Sequence, residues 1–236
     1  MQNLPFYFKV FLTNKWMVIF LKRTLIVALC FLLGFILWTV CLFFIDVSPL
    51  TPNGTNVGFS TLNAYMHNLT DVHYSLYILT DWLGLVPFAF AIGFAVLGLI
   101  QWCKRKNFLK VDVDILLLGA FYTVVIGFYL FFEEFVVNYR PILISGVAEV
   151  SYPSSTTMLT LCVMPTAIMQ FNTRIKNNVL KICVAFLLSA FTAFMVIGRL
   201  ISGVHWFTDI VGGALLSAGL VLLYRYFVAL LLSRKS

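Results

Sequence analysis

The sequence predicts an all-α, polytopic membrane protein: a bundle of six transmembrane helices with a short amphipathic helix in the first outer loop. Three observations carry that expectation. First, the chain is 61% hydrophobic and only 11% charged, with a mean hydropathy of +0.98. A soluble domain holds about 45–50% apolar and about 25% charged residues. Second, six apolar stretches approach the roughly 20 residues that a helix needs to cross a bilayer. Third, the basic residues sort by loop, as the positive-inside rule requires. The 236 residues fit one domain, 1–236.

The elements follow in order. Residues 1–23 mix aromatic and basic side chains, which suits either a helix lying at the membrane interface or a disordered leader. The first span is Thr24–Ile45. It is too long for a signal-peptide core and no small-residue cleavage site follows it, so it is read as a retained helix. An outer loop, Asp46–Asp81, opens with the turn residues Pro49, Pro52 and Asn53-Gly54. Leu62, Tyr65, Met66, Leu69, Val72 and Leu76 then recur at helical spacing. They predict an amphipathic surface helix, as a lid or lipid-entry wall or as a plain connector. Asn53-Gly-Thr and Asn68-Leu-Thr match the glycosylation acceptor pattern. The further spans are Trp82–Trp102, Ile115–Phe135, Thr156–Phe171, Val179–Ile197 and Phe207–Leu232. In the last, Gly212, Gly213, Ala214, Ser217 and Ala218 form a small-residue face suited to close helix packing.

If six spans alternate, fourteen of the sixteen Lys and Arg residues fall on one face. They lie before Thr24, at Lys104–Lys110, at Arg174–Lys181, and at Arg225, Arg234 and Lys235. That face is cytoplasmic, with both termini, and the chain is expected in the cell membrane. This sorting also argues that the net charge of +7 serves topology, not nucleic-acid binding. The two remaining basic residues, Arg140 and Arg199, lie on the opposite, extracytoplasmic side. None of the five cysteines falls in an outer loop, so no disulfide is expected. No Cys/His cluster suggests a metal, and no cofactor is implied. Nothing in the sequence specifies an oligomeric state.

Charged groups in or beside a membrane span are costly and mark function. Arg199, His205 and Asp209 lie within eleven residues. His205 and Asp209 are four apart and share a face if the last helix starts near His205. The carboxylate can then accept the Nδ1–H of the imidazole, which fixes the tautomer and aims Nε2 at a substrate. Arg199 offers a planar fork for phosphate oxygens, and Arg140 a second one. Pro141 holds Arg140 in an extended backbone. Ser154, Ser155 and Thr156 open the fourth span, where helix N-terminal amides suit an anion. Three outer helix mouths are thus expected to converge on a tetrahedral anion. A histidine nucleophile there suits phosphoryl transfer through phosphohistidine.

These residues resemble the type-2 phosphatidic acid phosphatase superfamily of membrane lipid phosphatases and vanadate haloperoxidases. Its pattern is Lys-x6-Arg-Pro, then Pro-Ser-Gly-His, then Ser-Arg-x5-His-x3-Asp. The resemblance spans 133–209. The third block matches at Arg199, His205 and Asp209; the first is half present as Arg140-Pro141; the second reads Pro153-Ser154-Ser155-Thr156. It implies His205 as nucleophile, Asp209 as its partner, and Arg140, Arg199 and the second-block serine as phosphate ligands. Two departures stand out. Glu133 occupies the lysine position, and Thr156 that of the general-acid histidine. A threonine hydroxyl cannot replace an acid typically worth about 10²–10⁴-fold. Glu133, Glu134, Glu149, His67 and His73 are candidate substitute acids. A lipid diphosphate, whose leaving group is itself a phosphate monoester, suffers least from the loss. Two function classes fit. One is a metal-independent membrane phosphatase acting on a lipid phosphate or, by preference, a polyprenyl or other lipid diphosphate. The other is an impaired relative that binds, senses or moves a phosphorylated lipid headgroup.

Overall fold

The computed structural model describes residues 15–233. Helix α1 runs over Lys15–Phe44, followed by a two-residue hairpin of β1 (Ser48–Pro49) and β2 (Asn56–Val57). Helices α2 (Ser60–Thr70), α3 (Tyr74–Leu83), α4 (Leu85–Arg105), α5 (Val113–Glu134), α6 (Ser155–Arg174), α7 (Asn178–Ile201) and α8 (Phe207–Ser233) complete the chain. Most of the reading for residues 1–23 falls outside the described residues. From Lys15 onward the chain is already part of α1, because nothing between Lys15 and Thr24 breaks a helix.

Among the described residues, five helical stretches are long and apolar enough to cross a membrane: Met17–Phe44, Tyr74–Arg105, Val113–Glu134, Asn178–Ile201 and Phe207–Ser233. They turn large apolar side chains outward, such as Leu33, Ile36 and Leu37 of α1 and Ile182 and Phe186 of α7. Hydrocarbon is the solvent that accepts such a surface. The chain is an integral membrane protein.

The remaining long helix, α6, is different. It carries Thr157, Thr160, Thr166 and Gln170, all buried, and packs against α4, α5, α7 and α8. A helix enclosed by helices meets little lipid, so it tolerates polar residues, of which Thr157, Thr166 and Gln170 pair internally. Gln170 donates to the Tyr224 hydroxyl at 2.5 Å, and Ser217 to the Met158 carbonyl at 3.1 Å. The α6–α8 contact uses the predicted small-residue face. A Cβ at Gly213 would lie 3.4 Å from the Thr157 methyl of α6, and one at Gly212 would lie 2.5 Å from the Tyr152 ring just before that helix.

The helical periodicity of the first outer loop resolves into two helices. α2 ends at Thr70 and the chain turns at Asp71, whose φ is 57°, before α3. Leu62, Tyr65 and Leu69 are exposed, while Ser60 and Asn63 face inward. Asn63 clamps α2 to the start of α8: its Nδ2 donates to the Thr208 hydroxyl at 3.0 Å, and its Oδ1 accepts from the Thr208 amide at 3.2 Å. Only Gly84 separates α3 from α4, so α3 extends the second long stretch toward the α7–α8 turn. At the far end of the bundle, Arg174 pairs with Asp114 at 2.9 Å and Arg105 with Asp112 at 2.8 Å. The α4–α5 and α6–α7 loops therefore share one end, and Arg140 and Arg199 lie at the other.

Candidate functional site

The site is built on the turn between α7 and α8, residues 202–206. Arg199 lies in the last turn of α7 and is 1% exposed; His205 is 4% and Asp209 0% exposed. Asp209 sits in the first turn of α8. Its Oδ2 accepts from the Trp206 amide at 2.9 Å, the reach-back of a capping box, which fixes the carboxylate under the turn. Its Oδ1 accepts from Asn138 Nδ2 at 3.2 Å.

His205 is flanked on both ring nitrogens. Nδ1 lies 3.5 Å from Asp209 Oδ2, a close approach that falls short of hydrogen-bond geometry. Nε2 lies 3.3 Å from Arg199 Nη2. A guanidinium has donors only, so Nε2 accepts and the ring proton sits on Nδ1, facing Asp209. Burial, then the charges of Arg140 and Arg199, hold the His205 pKa well below the usual histidine value. The imidazole is therefore neutral at neutral pH, with its Nε2 lone pair turned to Arg199.

Arg140 comes from the α5–α6 loop. Tyr139 and Val150 form an antiparallel bridge, and the Arg140 amide donates to the Glu149 carbonyl at 3.0 Å. This short ladder sets Arg140 opposite Glu149, whose Oε2 lies 3.1 Å from Arg140 Nε. Arg199 faces Asp81 Oδ1 at 3.6 Å and the Thr80 hydroxyl at 3.4 Å. Both guanidiniums lie against one ring, Tyr77 of α3, at 5.2 Å for Arg199 and 5.8 Å for Arg140. Arg140 Nη1 and Arg199 Nε are buried without a hydrogen bond. Buried polar groups are nearly always paired, and two free guanidinium donors side by side are chemistry that suits an anion.

A cavity of about 300 Å³ reaches Glu133, Arg140, Glu149, Ser151, Ser155 and His205. Of the expected second-block ligands, only Ser155 lines it. The Ser154 hydroxyl donates to Thr157 at 3.0 Å, and its amide donates to the Asp209 carbonyl at 3.1 Å. Thr156 turns toward Gly84. Among the candidate acids, Glu133 and Glu149 line the cavity. Glu134 and His73 are exposed and outside it, and His67 packs half-buried on Trp206, 5.7 Å between ring centroids. No group of three or more His, Cys, Asp or Glu among the described residues is placed to hold a metal.

Sequence reasoning did not single out Asn138, Tyr77, Thr80 or Asp81. Asn138 stands two residues before Arg140, and so on the same side of an extended strand. The α3 residues had only the helical spacing of their apolar neighbours to mark them.

The PAP2 superfamily model matches residues 120–232. That part of the chain, which holds every motif residue from Glu133 to Asp209, belongs to the type-2 phosphatidic acid phosphatase superfamily. The fold is similar to that of a transmembrane PAP2-type phosphatidylglycerolphosphate phosphatase from Bacillus subtilis. The TM-score is 0.56 and the identity 18%, covering 85% of this chain and 95% of the other. No curated protein sequence matches.

Proposed function

We propose that the chain is a membrane lipid phosphatase that works through His205 without a metal and prefers lipid diphosphates. Superfamily membership supports the broader class, a membrane phosphatase acting on lipid phosphates. The observation that carries the finer reading is the placement of His205 between Arg199 and Asp209 at a cavity that Arg140 also lines. Nε2 attacks the terminal phosphorus as the bond to the leaving oxygen breaks, and the electron pair departs with a phosphate monoester. Asp209 steadies the resulting charge on the ring. Arg140 and Arg199 neutralise the equatorial oxygens. Water then attacks phosphorus, the P–N bond breaks, and orthophosphate carries the proton away. With Thr156 in place of an acid, this route suits leaving groups that depart unprotonated.

The six-span arrangement belongs to the same proposal: α6 completes the set, both termini are cytoplasmic, the site is extracytoplasmic, and the host is the cell membrane. Labelling of an Asn107→Cys variant by an impermeant reagent from outside intact cells would overturn this topology.

The decisive assay is phosphate release by purified protein, in chelator, from a panel of lipid monophosphates and diphosphates. Diphosphates should turn over faster than phosphatidate. Activity abolished by chelator and restored by magnesium refutes the mechanism. Glu133 and Thr156 favour a second reading, a relative that binds or moves the headgroup. Binding without turnover on every substrate selects it.

A further inference from the structure

The cavity has two unlike kinds of lining. Arg140 and His205 supply one. Helix α5 supplies the other, with Phe128, Tyr129, Phe132 and Glu133. Arg140 already approaches Glu149, and Arg199 approaches Asp81. Glu133 forms no ion pair among the described residues. Its carboxylate interacts with the hydroxyl of Tyr129, one helical turn earlier. A negative charge beside a phosphate site repels the ligand unless the ligand brings a positive charge of its own. A carboxylate among aromatic rings is the chemistry that accepts an ammonium group, through charge and through ring quadrupoles.

We propose that Glu133, with Tyr129, Phe128 and Phe132, forms a subsite for an ammonium group borne by the same headgroup as the phosphate. The ligand is then zwitterionic: its phosphate faces Arg140 and His205, and its amine faces Glu133. This rests on the anion-site reading above and narrows it to amine-bearing headgroups. A bound divalent cation is the competing source of charge. The other carboxylate at the cavity, Glu149, is held by Arg140, and no cluster of three ligands occurs among the described residues, which disfavours it.

The test uses the full chain in detergent and three soluble probes: orthophosphate, phosphoethanolamine, and ethylene glycol phosphate, which has a hydroxyl in place of the ammonium. Dissociation constants are measured by calorimetry in chelator. The amine probe should bind about tenfold more tightly than the glycol probe, the size expected of a partly desolvated charge contact. In Glu133→Gln that preference should fall to about twofold, while orthophosphate affinity rises as a like charge leaves. Should Glu133→Gln fail to fold, Phe128→Leu must lower the preference through the lost ring. Equal binding of the two organic probes overturns the subsite. So does a preference that survives in both variants, or one that needs added magnesium. Failure of orthophosphate itself to bind sinks the anion site, and this subsite with it.

Discussion

The α7–α8 turn and the α5–α6 junction meet at one cavity and are built in opposite ways. The first is closed. Arg199, His205 and Asp209 are almost fully buried, with Arg199 and Asp209 held by Asp81 and Asn138 from distant parts of the chain. Trp38 Nε1 donates to the Thr208 carbonyl at 3.2 Å, and Trp206 Nε1 to the Tyr139 carbonyl at 2.8 Å. The second is open, with Glu133 exposed at the cavity and Thr156 turned away from it. Groups that perform a bond-making step must be held still before it begins. Groups that greet a substrate meet whatever chemistry that substrate brings. The closed half keeps the superfamily's Arg, His and Asp, with Gly198 for its serine, while Glu133 and Thr156 change the open half; on the proposed reading those two departures bear on substrate and leaving group, not on the nucleophile.

The closed half is where substitutions should cost most. His205→Ala should lower phosphate release by at least about 10⁴-fold, the scale of losing a nucleophile. Melting behaviour should stay close to wild type, because the ring makes few hydrogen bonds. Full activity in this variant ends the phosphohistidine proposal. Asp209→Asn should cost about 10²–10⁴-fold. An amide at 209 can still accept from Trp206, so the turn survives while the imidazolium loses its counter-charge. A loss of folding, in place of a loss of kcat, would mean that Asp209 serves the cap alone.

Arg140 joins the two halves, and its removal should read in two ways. KM for a lipid diphosphate should rise about tenfold or more, the cost of one charge-assisted phosphate contact. The pH profile should move as well. In the wild type, His205 titrates well below the ordinary histidine value, so activity persists into mild acid and is lost only as pH falls through that low pKa. Arg140→Ala removes one of the charges that depress it. The acid limb should shift upward, toward about 6.5. An unchanged limb would leave burial and Arg199, and not Arg140, as the causes of the depression. The same linkage bears on folding. A ring that is neutral when buried contributes stability above about pH 6.5, and that contribution fades as pH falls below it.

In the open half the expected effects are smaller and are gains. Thr156→His should raise turnover of monophosphates about tenfold over diphosphates, a fraction of what a placed acid supplies. Because Thr156 turns toward Gly84, the single change needs an imidazole that reaches back to the cavity. Pairing it with Glu133→Lys separates charge from acid chemistry. A gain on diphosphates as large as on monophosphates would show that another residue already delivers the proton.

The sequence made the long apolar helices, Arg140 and the Arg199–Asp209 motif legible, because each rests on local spacing or on bulk composition. Third-dimension contacts were not legible. Tyr77 lies well over a hundred residues from Arg199 and carries no motif, yet its ring receives both guanidiniums. Asn138 reaches Asp209 only because the ladder at Tyr139 and Val150 folds the loop back. Ser154 shows the converse. Its position in the second block reads as a phosphate ligand, but its hydroxyl is spent on Thr157 and its amide on Asp209.

Gly198, in the place of the superfamily's serine, tests how closely α3 must approach the closed half. A Cβ there would sit 2.9 Å from the Thr80 methyl and 3.7 Å from Leu76. Glycine therefore lets α3 settle on α7 and bring Tyr77, Thr80 and Asp81 to Arg199. Gly198→Ser should push α3 away and cost about 1–3 kcal/mol, as overpacking does, with KM raised only a few-fold, about 1 kcal/mol of binding. Thr80→Ser removes the methyl in the way and keeps the hydroxyl that faces Arg199. The double variant should recover most of both losses in a thermal-unfolding and kinetic cycle. If the two changes simply add, the contact between α3 and α7 is not what Gly198 serves, and the open half has no hold on Arg199 through that helix.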